Sequence, residues 1–272
     1  MSDRMEVVIS GSRNLYCWFP CMYMSLFEHN PDAHLWILAE DDALPYETPE
    51  NVEIVNVSKQ TLFRPDGPNM RSAFTYLAMI RAAYPILFNG AAENLCGVRS
   101  LTKLDRVISM DCDVVVCDSL QPIWETDLTG KWFSAVAQFK SIDRPLGVNH
   151  EYNNMGVTVF NLEQMRADGV AERAVAMLNS KRFTFVDEEV LNILNVADGE
   201  NRCVNMPPRF NEHLEVSQSL KPAVVHYAGE KCVWKMDLDR VYRDGICVYI
   251  MRILLQCAGP RARCHHYTKN PR

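Results

Sequence analysis

The chain has 272 residues, 48% hydrophobic and 23% charged, the composition of an ordinary globular protein with room for one large core. A formal net charge of −6 excludes a general nucleic-acid binder, so an anionic ligand has to be held by a local cation or a metal. No apolar run reaches the roughly 18 residues of a membrane span and the first residues carry no signal-peptide pattern, so a cytoplasmic protein with reduced thiols is expected.

Residues 6–10 read as a first strand, closed by Gly11, Ser12, Arg13 and Asn14, and 20–27 as a helix ending before Asn30 and Pro31. A second strand is expected over 35–38, followed at once by Glu40, Asp41 and Asp42, and a third over 52–57. Strand, helix, strand at this spacing is a crossover unit of a parallel sheet, and the fold class is therefore α/β and Rossmann-like. Over 70–84 the residues Ala73, Phe74, Leu77, Ala78 and Ile80 keep helical spacing, and Pro85 stops or kinks the helix. Arg81 falls on its protein-facing side, where it either clamps a phosphate or carboxylate or snorkels to the surface. Residues 89–103 look like an inserted loop.

A buried strand carrying Val107, Ile108 and Met110 then runs into Asp111, Cys112 and Asp113. Side chains alternate in extended chain, so Asp111 and Asp113 are expected on one side and Cys112 on the other. Two such carboxylates repel unless something positive lies between them, and at the carboxyl end of a sheet strand a hard divalent cation fits that place. A surface turn with two solvated acids is the plainer alternative.

Beyond it come a turn into a short helix at 118–124, a strand at 133–137, and a loop at 141–151 whose Pro145, Gly147 and His150 suit a mobile cover over a site. In 152–161, Asn153, Asn154 and Gly156 precede the alternation Val157, Val159, Asn161; such amides either meet sugar hydroxyls or close a turn. A helix beginning in 183–192 holds Asp187, Glu188 and Glu189 in its first turn, where N-capping alone accounts for Asp187. A late strand from 223 ends in His226, with Gly229 and Lys231 just beyond: a corner fit for a metal and a diphosphate, set against a lone core histidine. Residues 237–257 form an apolar helical appendage, and 258–272 a basic tail expected to be disordered, either solvated or resting peripherally on anionic lipid. The ten cysteines are irregularly spaced, so free thiols are expected, with Cys17 and Cys21, or Cys264 with His265 and His266, as the alternative of a zinc set.

Four of these segments, in this order and over about residues 5–236, resemble the retaining glycosyltransferases of family eight, the galactosyl-, glucosyl- and glycogenin-type enzymes. Residues 104–116 are similar to the family's strand plus Asp-x-Asp, 152–162 to its Phe-Asn-Ala-Gly-Val run, 186–192 to its Asp-Gln-Asp-x-Leu-Asn, and 226–231 to its His-Phe-x-Gly-x-Lys-Pro-Trp. The resemblance implies a GT-A domain over 1–236, with a mixed, mostly parallel sheet flanked by helices. It implies a Mn2+ (or Mg2+) ion held by Asp111, Asp113 and His226, phosphates held by Gly229 and Lys231, and Arg81 on the sugar-phosphate side. Asn154 and Asp187 would contact the donor sugar, and Ser10, Asn14, Cys112 and Gly156 would complete the donor site.

The chain departs from the family at Ser12, Arg13 and Leu15, where Asp-Asp-Asn-Tyr is usual, leaving Asn14 and the nearby Tyr16 as substitutes. Glu188 stands in the place of a Gln, as a stabiliser of positive charge more readily than as a covalent nucleophile. Between Lys231 and Trp234 there is one residue more than in Lys-Pro-Trp. The resulting expectation is a metal-dependent retaining enzyme that moves a hexose, galactose or glucose, from a UDP-sugar to a saccharide or lipid-linked acceptor. Its rivals are a non-catalytic nucleotide-sugar or glycan binder and a sugar nucleotidyltransferase.

Overall fold

The computed structural model describes residues 4–70, 75–91, 96–137, 151–213 and 221–228. In chain order these form β1 (Glu6–Ser10), α1 (Phe19–His29), β2 (His34–Ala39), β3 (Val52–Asn56), α2 (Tyr76–Met79), α3 (Tyr84–Leu87), β4 (Arg106–Met110), β5 (Val114–Val116), α4 (Gln121–Trp124) and β6 (Phe133–Ala137). There follow β7 (Asn153–Asn161), α5 (Leu162–Ala167), α6 (Val170–Ser180), α7 (Val186–Val196), β8 (Cys203–Asn205), β9 (Glu212–His213) and β10 (Val224–His226). The expected loop over 141–151, apart from Glu151, lies outside the described residues, as do the C-terminal appendage, the tail, Gly229 and Lys231.

Seven strands make one sheet in the order β3-β2-β1-β4-β7-β6-β8. Strands β3, β2, β1 and β4 are parallel, β7 runs against both β4 and β6, and β8 is parallel to β6. The sheet is thus mixed and mostly parallel with helices on its faces, as the sequence led one to expect. Alternation within β1 explains why its middle is continuously apolar: Val8 enters one core with Trp36 and Leu38, while Val7 and Ile9 enter the other with Leu35 and Ile37. A smaller sheet, in the order β5-β10-β9, lies beyond the end of β4 and was not foreseen.

The single helix expected over 70–84 is not formed. Its described part is a one-turn α2 capped by the Thr75 hydroxyl, then a 3-10 turn over Ile80–Ala83, then α3. Pro85 does not end a helix but begins one, because its missing N–H falls in the first turn, where no intrahelical partner exists. Among the described residues no helix is long and apolar enough to cross a membrane.

Candidate active site

β4 delivers the chain to the site, and β7 and β10 hold it there. After Met110 the backbone leaves the extended state, so Asp111 and Asp113 sit in a turn and strand alternation is not what brings them together. The Asp111 N–H donates to the Gly156 carbonyl at 2.8 Å, and the Asp113 carbonyl accepts from the Tyr227 N–H at 2.9 Å. Because β10 pairs with β5 in the register His226 to Val114, the imidazole is laid directly beside Asp113. Its Nε2 stands 3.4 Å from Asp113 Oδ1 and 3.5 Å from Asp111 Oδ2.

Gly156 makes this approach possible. A Cβ there would lie 2.1 Å from His226 Cε1, so no other residue lets the ring so close to β7.

Asp111, Asp113 and His226 offer ligand atoms that all lie within 4.8 Å of one another. Two carboxylate oxygens and an imidazole nitrogen are a donor set suited to Mn2+ or a similar divalent ion. The opposite ring nitrogen of His226, Nδ1, is 2.8 Å from Asn211 Oδ1, the outer contact that metal-binding histidines ordinarily have. The residues therefore fit the ion. Burial of His226 would lower its pKa, but Asp113 and Asp111 dominate and push it up to about 10. Burial would raise Asp111, yet Arg81 and His226 hold it well below the usual carboxylate range.

Arg81 is buried at 7% exposure and donates to the Asp111 carboxylate and to the Met155 carbonyl. Its Nε lies 3.5 Å from Asp187 Oδ2, and neither of these two atoms has a hydrogen-bond partner among the described residues. Burial pushes Asp187 up to about 7 against the pull of Arg81. Asp187 does not cap the helix but turns inward, while Glu189 reaches back to accept from the Thr184 and Phe185 N–H groups just before it. Just before the acids Val186 takes φ +30°, a left-handed conformation costing a β-branched residue about 1–3 kcal/mol. Glu188 accepts from Asn154 Nδ2 and the Met155 N–H, both at 3.2 Å.

The remaining expected donor residues are less tightly gathered. Cys112 is buried, its thiol raised well above the ordinary value by that burial. The Ser10 hydroxyl donates to the Leu77 carbonyl at 2.8 Å, and Asn14 Oδ1 accepts from the Ser12 hydroxyl. No hydrogen bond joins either to the Asp111 cluster among the described residues. Arg13 pairs with Asp41 at 2.7 Å, and the Tyr16 hydroxyl donates to Asp41 and accepts from the Glu40 N–H. The Tyr16 ring is buried against Phe19, so it does not stand as an open aromatic in place of the one the altered loop lacks. Asn211 and His213, whose ring lies edge-on to His226 with centroids 4.8 Å apart, were missed. Nothing local marks them, since Asn211 meets partners 15 and 57 residues away.

Comparison with known proteins bears on the family and the fold. "Probable glycosyl transferase Gly" of Streptococcus gordonii is 26% identical over 157 residues, 54% of this chain and 22% of that protein. "General stress protein A" of Bacillus subtilis is 23% identical over 167 residues, 52% of this chain and 57% of that protein, so the chain spans well under two thirds of either relative. Among solved structures, an active-site Gln-to-Glu mutant of LgtC superposes with a TM-score of 0.68 at 17% identity, covering 94% of this chain and 97% of that one. The bifunctional glycosyltransferase WbbM superposes with a TM-score of 0.67 at 18% identity, covering 94% and 50%. The sequence pattern of Glycosyl transferase family 8 matches residues 98–237, just over half of the chain and inclusive of the Asp111 turn, β7, the start of α7 and the His226 strand, and the chain belongs to that family.

Proposed function

We propose that the protein transfers a hexose, galactose or glucose, from a UDP-sugar to a saccharide or glycolipid acceptor, with retained configuration and with Mn2+ as the metal. The observation that carries this reading is the convergence of Asp111, Asp113 and His226 on one point, with Asp187, Glu188 and Asn154 placed around Arg81 and β7 beside it. A galactosyltransferase, LgtC, is known in complex with donor and acceptor sugar analogues, and WaaO of Escherichia coli, 24% identical over 160 residues, is a lipopolysaccharide glucosyltransferase. Both support a hexose donor and a glycan or glycolipid acceptor.

A divalent ion at Asp111, Asp113 and His226 would supply charge stabilisation to the departing diphosphate. The chain's own residues do the rest. Arg81 holds Asp111 in place and balances Asp187. Asp187 reaches a donor-sugar hydroxyl from a buried position. The two N–H donors on Glu188 fix its carboxylate toward the sugar face, where it stabilises positive charge at the anomeric carbon. Gly229 and Lys231, within the matched family segment, take the phosphates. The C-terminal tail makes peripheral contact with the membrane that carries a lipid-linked acceptor.

Release of free nucleotide from a panel of UDP-, GDP- and ADP-sugars, with Mn2+ and with chelator, tests the reading. Mn2+-dependent hydrolysis of one UDP-hexose is expected. Turnover unaffected by chelator refutes the metal, and failure of every UDP-sugar to bind or react refutes the donor.

A further inference from the structure

Asn211 lies between the 3-10 turn Pro208–Phe210 and β9, at 3% exposure. Its Nδ2 is 2.7 Å from Asn154 Oδ1, and its Oδ1 is 2.8 Å from His226 Nδ1. Asn154 Oδ1 also accepts from the Gly156 N–H at 2.9 Å, and Asn154 Nδ2 donates to Glu188 Oε2 at 3.2 Å. A continuous chain of side-chain hydrogen bonds thus runs from His226 through two amides to Glu188.

The polarity of that chain is set by groups that have no choice. A backbone N–H only donates, so Gly156 requires Asn154 to present its oxygen, and the Asn154 NH2 is left for the Glu188 carboxylate. Asn211 must then give its own NH2 to Asn154 Oδ1. Its oxygen faces His226 Nδ1, which has to carry the proton. Nε2 is in consequence the nitrogen that faces Asp111 and Asp113, at 3.5 and 3.4 Å. An amide flip anywhere along the chain would set two donors or two acceptors against each other in a buried place.

We propose that Asn211 is a positioning residue that accepts the Nδ1 proton of His226, so that Nε2 is the nitrogen left to a metal, and that it ties the ring, through Asn154, to the orientation of the Glu188 carboxylate. The assignment rests on the metal and donor reading above. It makes the metal-facing nitrogen and the sugar-facing carboxylate parts of one oriented array, so disturbing either end reaches the other.

Two substitutions separate the two halves. Asn211→Leu keeps the branched shape of the side chain and removes both hydrogen bonds. Asn211→Asp keeps an acceptor for His226 Nδ1–H but has no donor for Asn154 Oδ1. Each full-length protein is compared with the parent by three readouts: the 15N-bonded proton of His226 Nδ1 in metal-free, 15N-histidine-labelled protein, Mn2+ affinity from the EPR of free Mn2+, and kcat for the UDP-hexose. The parent is expected to show a slowly exchanging Nδ1–H. In Asn211→Leu that signal is lost and Mn2+ binds about tenfold or more weakly. In Asn211→Asp the signal and the Mn2+ affinity are kept, but kcat falls about tenfold or more because the Asn154–Glu188 end has lost its donor.

An Asn211→Leu protein with the parent's signal and affinity overturns the proposal, and so does an Asn211→Asp protein with the parent's kcat. If the parent binds no Mn2+ but shows the Nδ1–H, which Asn211→Leu removes, the metal reading fails and the hold of Asn211 on the Nδ1 proton stands. Should Asn211→Leu not fold, the split between affinity and kcat in Asn211→Asp decides the matter.

Discussion

Asp187, Glu188 and Glu189 are three consecutive acids with three different surroundings. Asp187 is buried beside Arg81 and raised to about 7, Glu188 faces Asn154 and the Met155 N–H, and Glu189 reaches back to the N–H groups before the helix. One turn of helix aims successive side chains about 100° apart, which is why adjacent acids separate so cleanly. Whether Glu188 attacks the sugar or only faces it is decided by the rate that survives its loss. Loss of an electrostatic contact costs about 10²-fold in kcat, whereas loss of an obligatory nucleophile costs about 10⁶-fold. Glu188→Gln is therefore expected to leave a measurable rate, no more than about 10²-fold reduced, in a nucleotide-release assay. A rate indistinguishable from no enzyme would make Glu188 a nucleophile.

Between secondary-structure elements, β1 and β2 are registered by more than their apolar faces. Glu6, buried at the start of β1, accepts from His34 Nδ1 at 3.0 Å, Trp36 Nε1 at 2.8 Å and Arg4 Nε at 3.0 Å. Burial raises its pKa, but the hydrogen bonds from His34, Trp36 and Arg4 outweigh that and leave it below the ordinary 4.5. A lowered folded-state pKa means that this stabilisation is complete above pH 4.5 and is lost as pH falls through the lower folded value. Glu6→Gln is expected to cost about 2 kcal/mol near pH 7, since a charged acceptor of several donors is replaced by a group that also donates. Its urea stability should fall less steeply with acid below pH 4.5 than the parent's, and parallel acid limbs would show that Glu6 does not act in this way.

Elements also show what pattern can and cannot reveal. The strands Glu6–Ser10 and Phe133–Ala137 are found at their expected bounds, because continuous apolar runs have few alternative states. Glu212–His213 and Val114–Val116 are too short to carry a period, and they exist only because a third strand, β10, pairs with both. The interrupted helix over 76–87 keeps a helical apolar rhythm that conceals its 3-10 centre.

For the molecule as one folding unit, the consequence of the Asp111, Asp113 and His226 cluster is thermodynamic linkage. An ion that binds the folded chain and not the unfolded one stabilises it by about 2.7 kcal/mol at a hundredfold excess over its Kd. Mn2+ at that level should raise the melting temperature by several degrees, chelator should reverse the rise, and Asp113→Ala should abolish it. A melting temperature blind to Mn2+ in the parent would show that the cluster holds no metal.

The chain's own letters were enough for the α/β class, the crossover at the N-terminus, the family and the grouping of Asp111, Asp113 and His226, because local apolar pattern and chemically committed residues such as these three are legible one segment at a time. They also place Arg81 on a buried face. Tertiary structure alone decided that Arg81 joins Asp111 and Asp187, that Glu189 reaches back to the chain before its helix while Asp187 turns inward, and that Gly156 is there to admit the His226 ring. It decided the role of Asn211 as well. A neutral amide has no periodicity and no charge to announce it, and its meaning arises only when β7, α7 and β10 bring partners from distant parts of the chain to either end of it.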